Sequence, residues 1–250
     1  MRIGFIGTGE IAAAMVRGLA GRGHQIMVSE RNAQVAAQLA AEVDGATVAA
    51  NADVVAGSDV VFLCLMADVA RQVLPSLPFR ADQAVISVMV DVSHETLQQL
   101  CAPATDIAMT IPLSAISTGG SMLPVYPAST ALTALFGDSD HVFAVASEAA
   151  LNAHFAGSAL SAPLIALMQT GAQWLGDQTG DPKAAEGYVA GVFAGFLRQI
   201  ATSDADFDTL LQGLATEGGL NASLKAHMQE TGAHDALVAG LEALKPRLGL

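Results

Sequence analysis

Up to about residue 147, short β-branched and aliphatic runs alternate with stretches in which apolar side chains recur every three or four positions. The runs predict strands over residues 2–6, 25–29, 60–65, 84–88 and 106–111, a shorter one at 47–49 and a last one at 142–145. The stretches between them predict helices over 10–20, 32–42 and 94–100. Such alternation reads as a parallel sheet with crossover helices. Residues 107–137 carry no charge and are broken by Pro112, Gly119-Gly120, Pro124 and Pro127, so loops and short strands near the end of the sheet are expected there. Beyond this point the pattern is helical. Asp181-Pro182 supplies an N-cap with proline at the first helical position, and an apolar-rich helix over 184–200 follows. Gly218-Gly219 then interrupts the chain before helices at 221–230 and 235–244. The expected fold is α/β, with a Rossmann-type parallel sheet in residues 1–147 and an all-helical dimerisation domain in residues 148–250.

Composition sharpens the second half of this picture. The chain is 52% hydrophobic and only 14% charged, which excludes disorder and calls for apolar surface hidden in an oligomer. A homodimer through the C-terminal helices is expected. No charged residue lies between Glu148 and Asp177, long enough to span a bilayer. Asn152, His154, Pro163, Gln169 and Gln173 interrupt it, so an interface helix is expected and not a membrane span. The net charge of -13 is spread over both halves and argues against nucleic acid as a partner. Cys64 and Cys101 sit in apolar contexts and read as reduced, buried thiols; with no signal peptide pattern at Met1-Arg2, the expected location is the cytoplasm.

The chemistry begins at Gly7-Thr8-Gly9-Glu10-Ile11-Ala12, a G-x-G-x-x-A sequence that follows a strand and opens a helix. Gly7 suits the tight turn, Gly9 leaves room for a pyrophosphate, and Ala12 permits close packing of helix on sheet. Thr8, Glu10 and Ile11 complete the turn. About twenty residues on, where an adenosine ribose should lie, the second strand ends in Ser29-Glu30-Arg31-Asn32. Glu30 suits a ribose diol and hence NAD; Ser29, Arg31 and Asn32 suit a 2′-phosphate and hence NADP. The arginine and its small polar neighbours favour NADP, with NAD left open. Leu65 and Met66, at the end of the fourth strand, are counted with the cofactor contacts.

On these residues, with Asp59-Val60-Val61-Phe62-Leu63, Val85-Ile86-Ser87-Val88, His94-Glu95-Thr96-Leu97 and Ala215-Thr216-Glu217-Gly218-Gly219, the chain resembles the pyrroline-5-carboxylate reductase family nearly end to end. The resemblance implies an N-terminal Rossmann domain, a helical dimerisation domain, and hydride transfer from a nicotinamide to the C=N bond of a small cyclic imine carboxylate. The substrate end departs from the family. Its Lys-Pro pair after the fourth strand is Met66-Ala67 here, and its Met-Pro-Asn-Thr-Pro segment is echoed by Ile111-Pro112-Leu113-Ser114-Ala115. The two threonines after its Gly-Gly turn are replaced by Leu220 and Asn221.

Reduction of an imine needs the hydride held near an electrophilic carbon and donors for a carboxylate, with no strong acid–base residue required. No catalytic residue is assigned. Ser114, Gly218, Gly219 and Asn221 are the expected contacts of an anionic small-molecule substrate. The six histidines show no metal-ligand spacing, and no metal is expected. Two other readings stand beside the reductase: a non-catalytic NADP-binding sensor or partner protein, and a coenzyme F420-linked NADP oxidoreductase.

Overall fold

The computed structural model describes residues 1–204 and 206–250. The chain forms two compact units, Met1–Phe155 with Pro246–Leu250, and Ala156–Lys245.

In the first unit the elements run β1 (Arg2–Ile6), α1 (Glu10–Gly18), β2 (Gln25–Ser29), α2 (Ala33–Glu42), β3 (Ala46–Ala49), α3 (Asn51–Gly57), β4 (Val60–Leu63), α4 (Ala67–Val73), β5 (Ala84–Ser87), α5 (His94–Leu100), β6 (Asp106–Thr110), β7 (Met122–Tyr126), α6 (Thr130–Phe136), β8 (His141–Ala144) and α7 (Glu148–Ser158). The strands make one sheet in the order β3-β2-β1-β4-β5-β6-β7-β8. Pairing is parallel from β3 through β6, antiparallel between β6 and β7, and parallel again between β7 and β8. This is the Rossmann-type arrangement expected. The strand order reverses between β1 and β4, leaving a crevice at their carboxyl ends where α/β sheets take ligands.

Alternate residues of the central strands serve opposite faces. Val60 and Phe62 of β4 pack in one core cluster with Ile3, Phe5 and Ile86, while Val61 and Leu63 pack in a second with Ile6 and Val85. A sheet covered on both faces explains why β1 and β4 read as unbroken apolar runs. Phe5 stacks on Phe62 at 4.8 Å, and Phe136 meets Phe62 edge-on at 6.3 Å.

The uncharged stretch over 107–137 needs a correction. It holds β7 and also a helix, α6, whose N-cap Ser129 accepts a hydrogen bond from the Leu132 N–H at 3.2 Å and whose Leu132, Leu135 and Phe136 are buried. Glycine and proline pointed to loops, but a seven-residue helix with three core side chains fits between them. The change from alternating to all-helical pattern places the domain boundary at residue 147. The compact units instead divide inside α7, because Leu151 belongs to the second core cluster of the sheet and Phe155 packs against it.

The second unit is built from α8 (Ser161–Thr179), α9 (Pro182–Thr202), α10 (Phe207–Leu214), α11 (Leu220–Glu230) and α12 (Ala233–Leu248), the last turn of α12 returning to the first unit. Helices α8 and α9 form a hairpin. Gly180 ends α8 in left-handed backbone, Asp181 caps α9 by accepting from the Ala184 N–H at 3.0 Å, and Pro182 takes the first turn. Residues 148–179 are long and apolar enough to cross a membrane by length and composition, and 11% of the apolar window is buried within the chain.

Candidate functional site: the glycine turn at the sheet's switch point

The turn between β1 and α1 is fixed by two glycines that do different work. Gly7 has a φ of +94°, and a Cβ there would stand 2.2 Å from the Cys64 carbonyl oxygen. The turn lies that close against the end of β4. Gly9 is the N-cap of α1 with no side-chain cap, and a Cβ on it would meet no atom within 4 Å. The space over Gly9 is open to a ligand, and the N–H groups of Glu10, Ile11 and Ala12 in the first helical turn have no carbonyl partner within the helix. Ala12 is buried against the sheet. An oxyanion set there would face free N–H donors and the positive end of the helix dipole.

Around this point lies a cleft of about 440 Å³ lined by Gly7, Thr8, Gly9, Arg31, Cys64, Leu65 and Met66, with Asn32 and Ala33 closing one side. A smaller one of about 250 Å³ is lined by Gly7, Ser29, Arg31, Asn51, Leu65 and Val69 with Gln72 and Val73. Gly7, Arg31 and Leu65 border both. Arg31 is exposed, and its guanidinium makes no ion pair or hydrogen bond among the described residues. Glu30 is exposed too but lines neither cleft. Asn32 caps α2 through its side chain, 3.4 Å from the Val35 nitrogen, so part of its polarity is already used. Met66 is 74% exposed at the N-cap of α4.

Ser29 borders the smaller cleft but is itself wholly buried, and its Oγ accepts from the Gly7 N–H at 2.8 Å. Thr8 is buried with it, and its hydroxyl donates to the Ser29 carbonyl. Burial pushes the thiols of Cys64 and Cys101 up to about 12, which leaves Cys64 a neutral, weakly polar wall of the cleft at neutral pH. Sequence reading missed Asn51, Val69, Gln72 and Val73 as lining residues, all from α3 and α4, two seven-residue helices that it did not expect.

The expected substrate contacts fall in separate units. Ser114 is exposed at the start of a 3-10 turn, Ser114–Ser117, that packs on α1, and it lines neither cleft. Gly218, Gly219 and Asn221 lie in the second unit at the start of α11. Gly218 has a φ of +74° and Gly219 is the N-cap, so the chain does turn there into a helix.

Residues 2–91 match the family model of NADP oxidoreductases that are coenzyme F420-dependent. No curated protein sequence matches the chain. Among solved structures, 1-pyrroline-5-carboxylate reductase from Streptococcus pyogenes superposes with a TM-score of 0.85 at 20% identity, covering 100% of this chain and 99% of that one. The chain has the pyrroline-5-carboxylate reductase fold. A pyrroline carboxylate reductase from Plasmodium falciparum with NADP bound gives 0.84 at 13% identity, over 99% of this chain and 97% of that one. A reductive aminase from Aspergillus terreus in complex with NADPH and ethyl levulinate gives 0.60 at 17% identity, over 97% and 93%. The resemblance found in the sequence thus holds for the fold over the whole length, that of NADP-dependent oxidoreductases.

Proposed function

We propose that the chain is an NADP(H)-dependent reductase acting on the C=N bond of a small cyclic imine carboxylate. The observation that carries this reading is the open space at Gly9, flanked by unpaired helix N–H groups on one side and the unpartnered Arg31 on the other. A diphosphate fits the first and a 2′-phosphate the second, and Glu30, the carboxylate that would favour NAD, stands outside both clefts. The nicotinamide, when bound, supplies a hydride. What the chain does is hold the dinucleotide by its phosphates, line the cleft with Leu65 and Met66, and keep the buried floor free of competing acid–base groups.

For the substrate, the turn at Gly218-Gly219 presents the first N–H groups of α11, which together with Asn221 suit a carboxylate. The second unit also supports a homodimer. Trp174, Tyr188, Phe207 and Leu220 are between 66% and 90% exposed, an apolar surface expensive to leave in water. A second copy of the chain is the cover we propose, in the cytoplasm, with neither membrane nor nucleic acid as a partner.

The test is consumption of NADPH with a panel of cyclic imines, with and without a carboxylate. Turnover only with carboxylated imines supports the proposal, and binding of NADPH without turnover on any of them supports a sensor. The match of residues 2–91 favours one further reading, a deazaflavin as hydride partner, and NADPH oxidation by coenzyme F420 in the same assay would select it.

A further inference from the structure

Resting on the dinucleotide reading above, we infer that Ser29 is a positioning residue for the diphosphate, not a contact of the 2′-phosphate, and that cofactor choice rests with Arg31. The protons of the buried pair can be followed one by one. The Gly7 N–H goes to Ser29 Oγ at 2.8 Å. The Thr8 hydroxyl proton goes to the Ser29 carbonyl oxygen, which can only accept. In the remaining contact, Ser29 Oγ to Thr8 Oγ1 at 3.3 Å, the donor is therefore Ser29. Each hydroxyl has one proton, and both are spent inside the ring. Ser29, with no exposed surface, has none left for a phosphate, which accepts hydrogen bonds and cannot donate to it at neutral pH.

The ring ties the end of β2 to the first two residues of the phosphate-binding turn across 22 positions of sequence. It sets the orientation of the Gly7–Thr8 peptide and, through it, the direction in which Gly9 and the first turn of α1 present their N–H groups. Its service is to the diphosphate, common to NAD and NADP. Arg31 borders both clefts, its guanidinium without an ion pair or hydrogen bond among the described residues, and is left to distinguish the two.

Calorimetric titration of the full chain and of Ser29→Ala with NADP, NAD and adenosine 2′,5′-bisphosphate, which has the 2′-phosphate but no diphosphate bridge, separates these roles. Ser29→Ala is expected to weaken NADP and NAD by the same factor, about threefold to tenfold for one lost hydrogen bond, and to leave the bisphosphate within about twofold. Loss confined to NADP and the bisphosphate would make Ser29 a phosphate contact and overturn the inference. Unchanged binding of all three would overturn it as well. Should Ser29→Ala not fold, Thr8→Val removes the hydroxyl that closes the ring, with Thr8→Ser as the rescue. Equal losses for NADP and NAD, recovered in Thr8→Ser, are expected; unequal losses or no loss count against it. If the unaltered chain binds none of the three ligands, the dinucleotide reading itself fails and the inference with it, an outcome distinct from any pattern confined to the variants.

Discussion

The two units are similarly rich in apolar residues and use them in opposite ways. In the first, Phe5, Phe62, Phe136, Ile86 and Leu63 are fully buried, and alternate strand residues fill a core on each face of the sheet. In the second, α8 buries only Ala172 and Gly176, α9 only Ala185, and α10 and α11 nothing, while Trp174, Tyr188, Phe193, Leu197 and Phe207 lie exposed. An apolar pattern is an instruction to be covered, but it does not say by what. The sheet unit meets that instruction within one chain; the exposed apolar side chains of the helical unit are what the proposed dimer would cover.

That contrast is open to breakage at several points. The largest effect is expected at Gly7, where valine would set a Cβ against the Cys64 carbonyl in left-handed backbone: Gly7→Val should cost roughly 2 to 4 kcal/mol of unfolding free energy, read by chemical denaturation. Two residues along, Gly9→Val should leave the apo protein within about 1 kcal/mol of the original stability, since its Cβ meets nothing. It should weaken NADP at least about a hundredfold by calorimetry. Equal behaviour of the two variants would mean that the space over Gly9 is not a ligand's place. In the helical unit, light scattering at micromolar concentration should give a dimer mass, and Leu197→Glu, at a side chain 59% exposed, should shift it toward the monomer; a monomeric unaltered chain would remove the contrast. Arg31→Ala should weaken NADP about ten- to a hundredfold through lost charge-assisted hydrogen bonds and leave NAD nearly as before, and equal losses would transfer the choice to Glu30. Smallest is Asn221→Ala, expected to lower kcat/KM about threefold to tenfold at unchanged NADP affinity. If thermal stability falls and substrate use does not, Asn221 serves only the helix end.

How much could be read in advance follows the range of the interactions involved. The turn after β1 was legible because its demands are local: a left-handed Gly7, a bare Gly9 and a small Ala12 within six positions of chain. So were Asp181-Pro182 and Gly218-Gly219, whose signals sit within one helical turn of the structure they set. Helices α3, α4 and α6 were not expected although α5, equally seven residues long, was, so length alone does not decide what is legible. The internal partners of Ser29 were not legible for a different reason: a hydroxyl at a strand end resembles a phosphate donor in sequence, and its partners Gly7 and Thr8 come from the turn after another strand.

The tail of the chain ties the order of synthesis to the order of assembly. Asp91 holds a φ of +68° after β5, its carboxylate paired with Arg247 at 2.9 Å and its carbonyl accepting from Arg71 at 3.1 Å. Asn152 donates to the Leu248 carbonyl at 2.9 Å. A segment that follows the whole helical unit in sequence therefore completes the sheet unit. Throughout translation of the helices Asp91 must wait without the Arg247 guanidinium, and a change at Arg247 would act on the sheet unit although the helical unit lies between them in sequence.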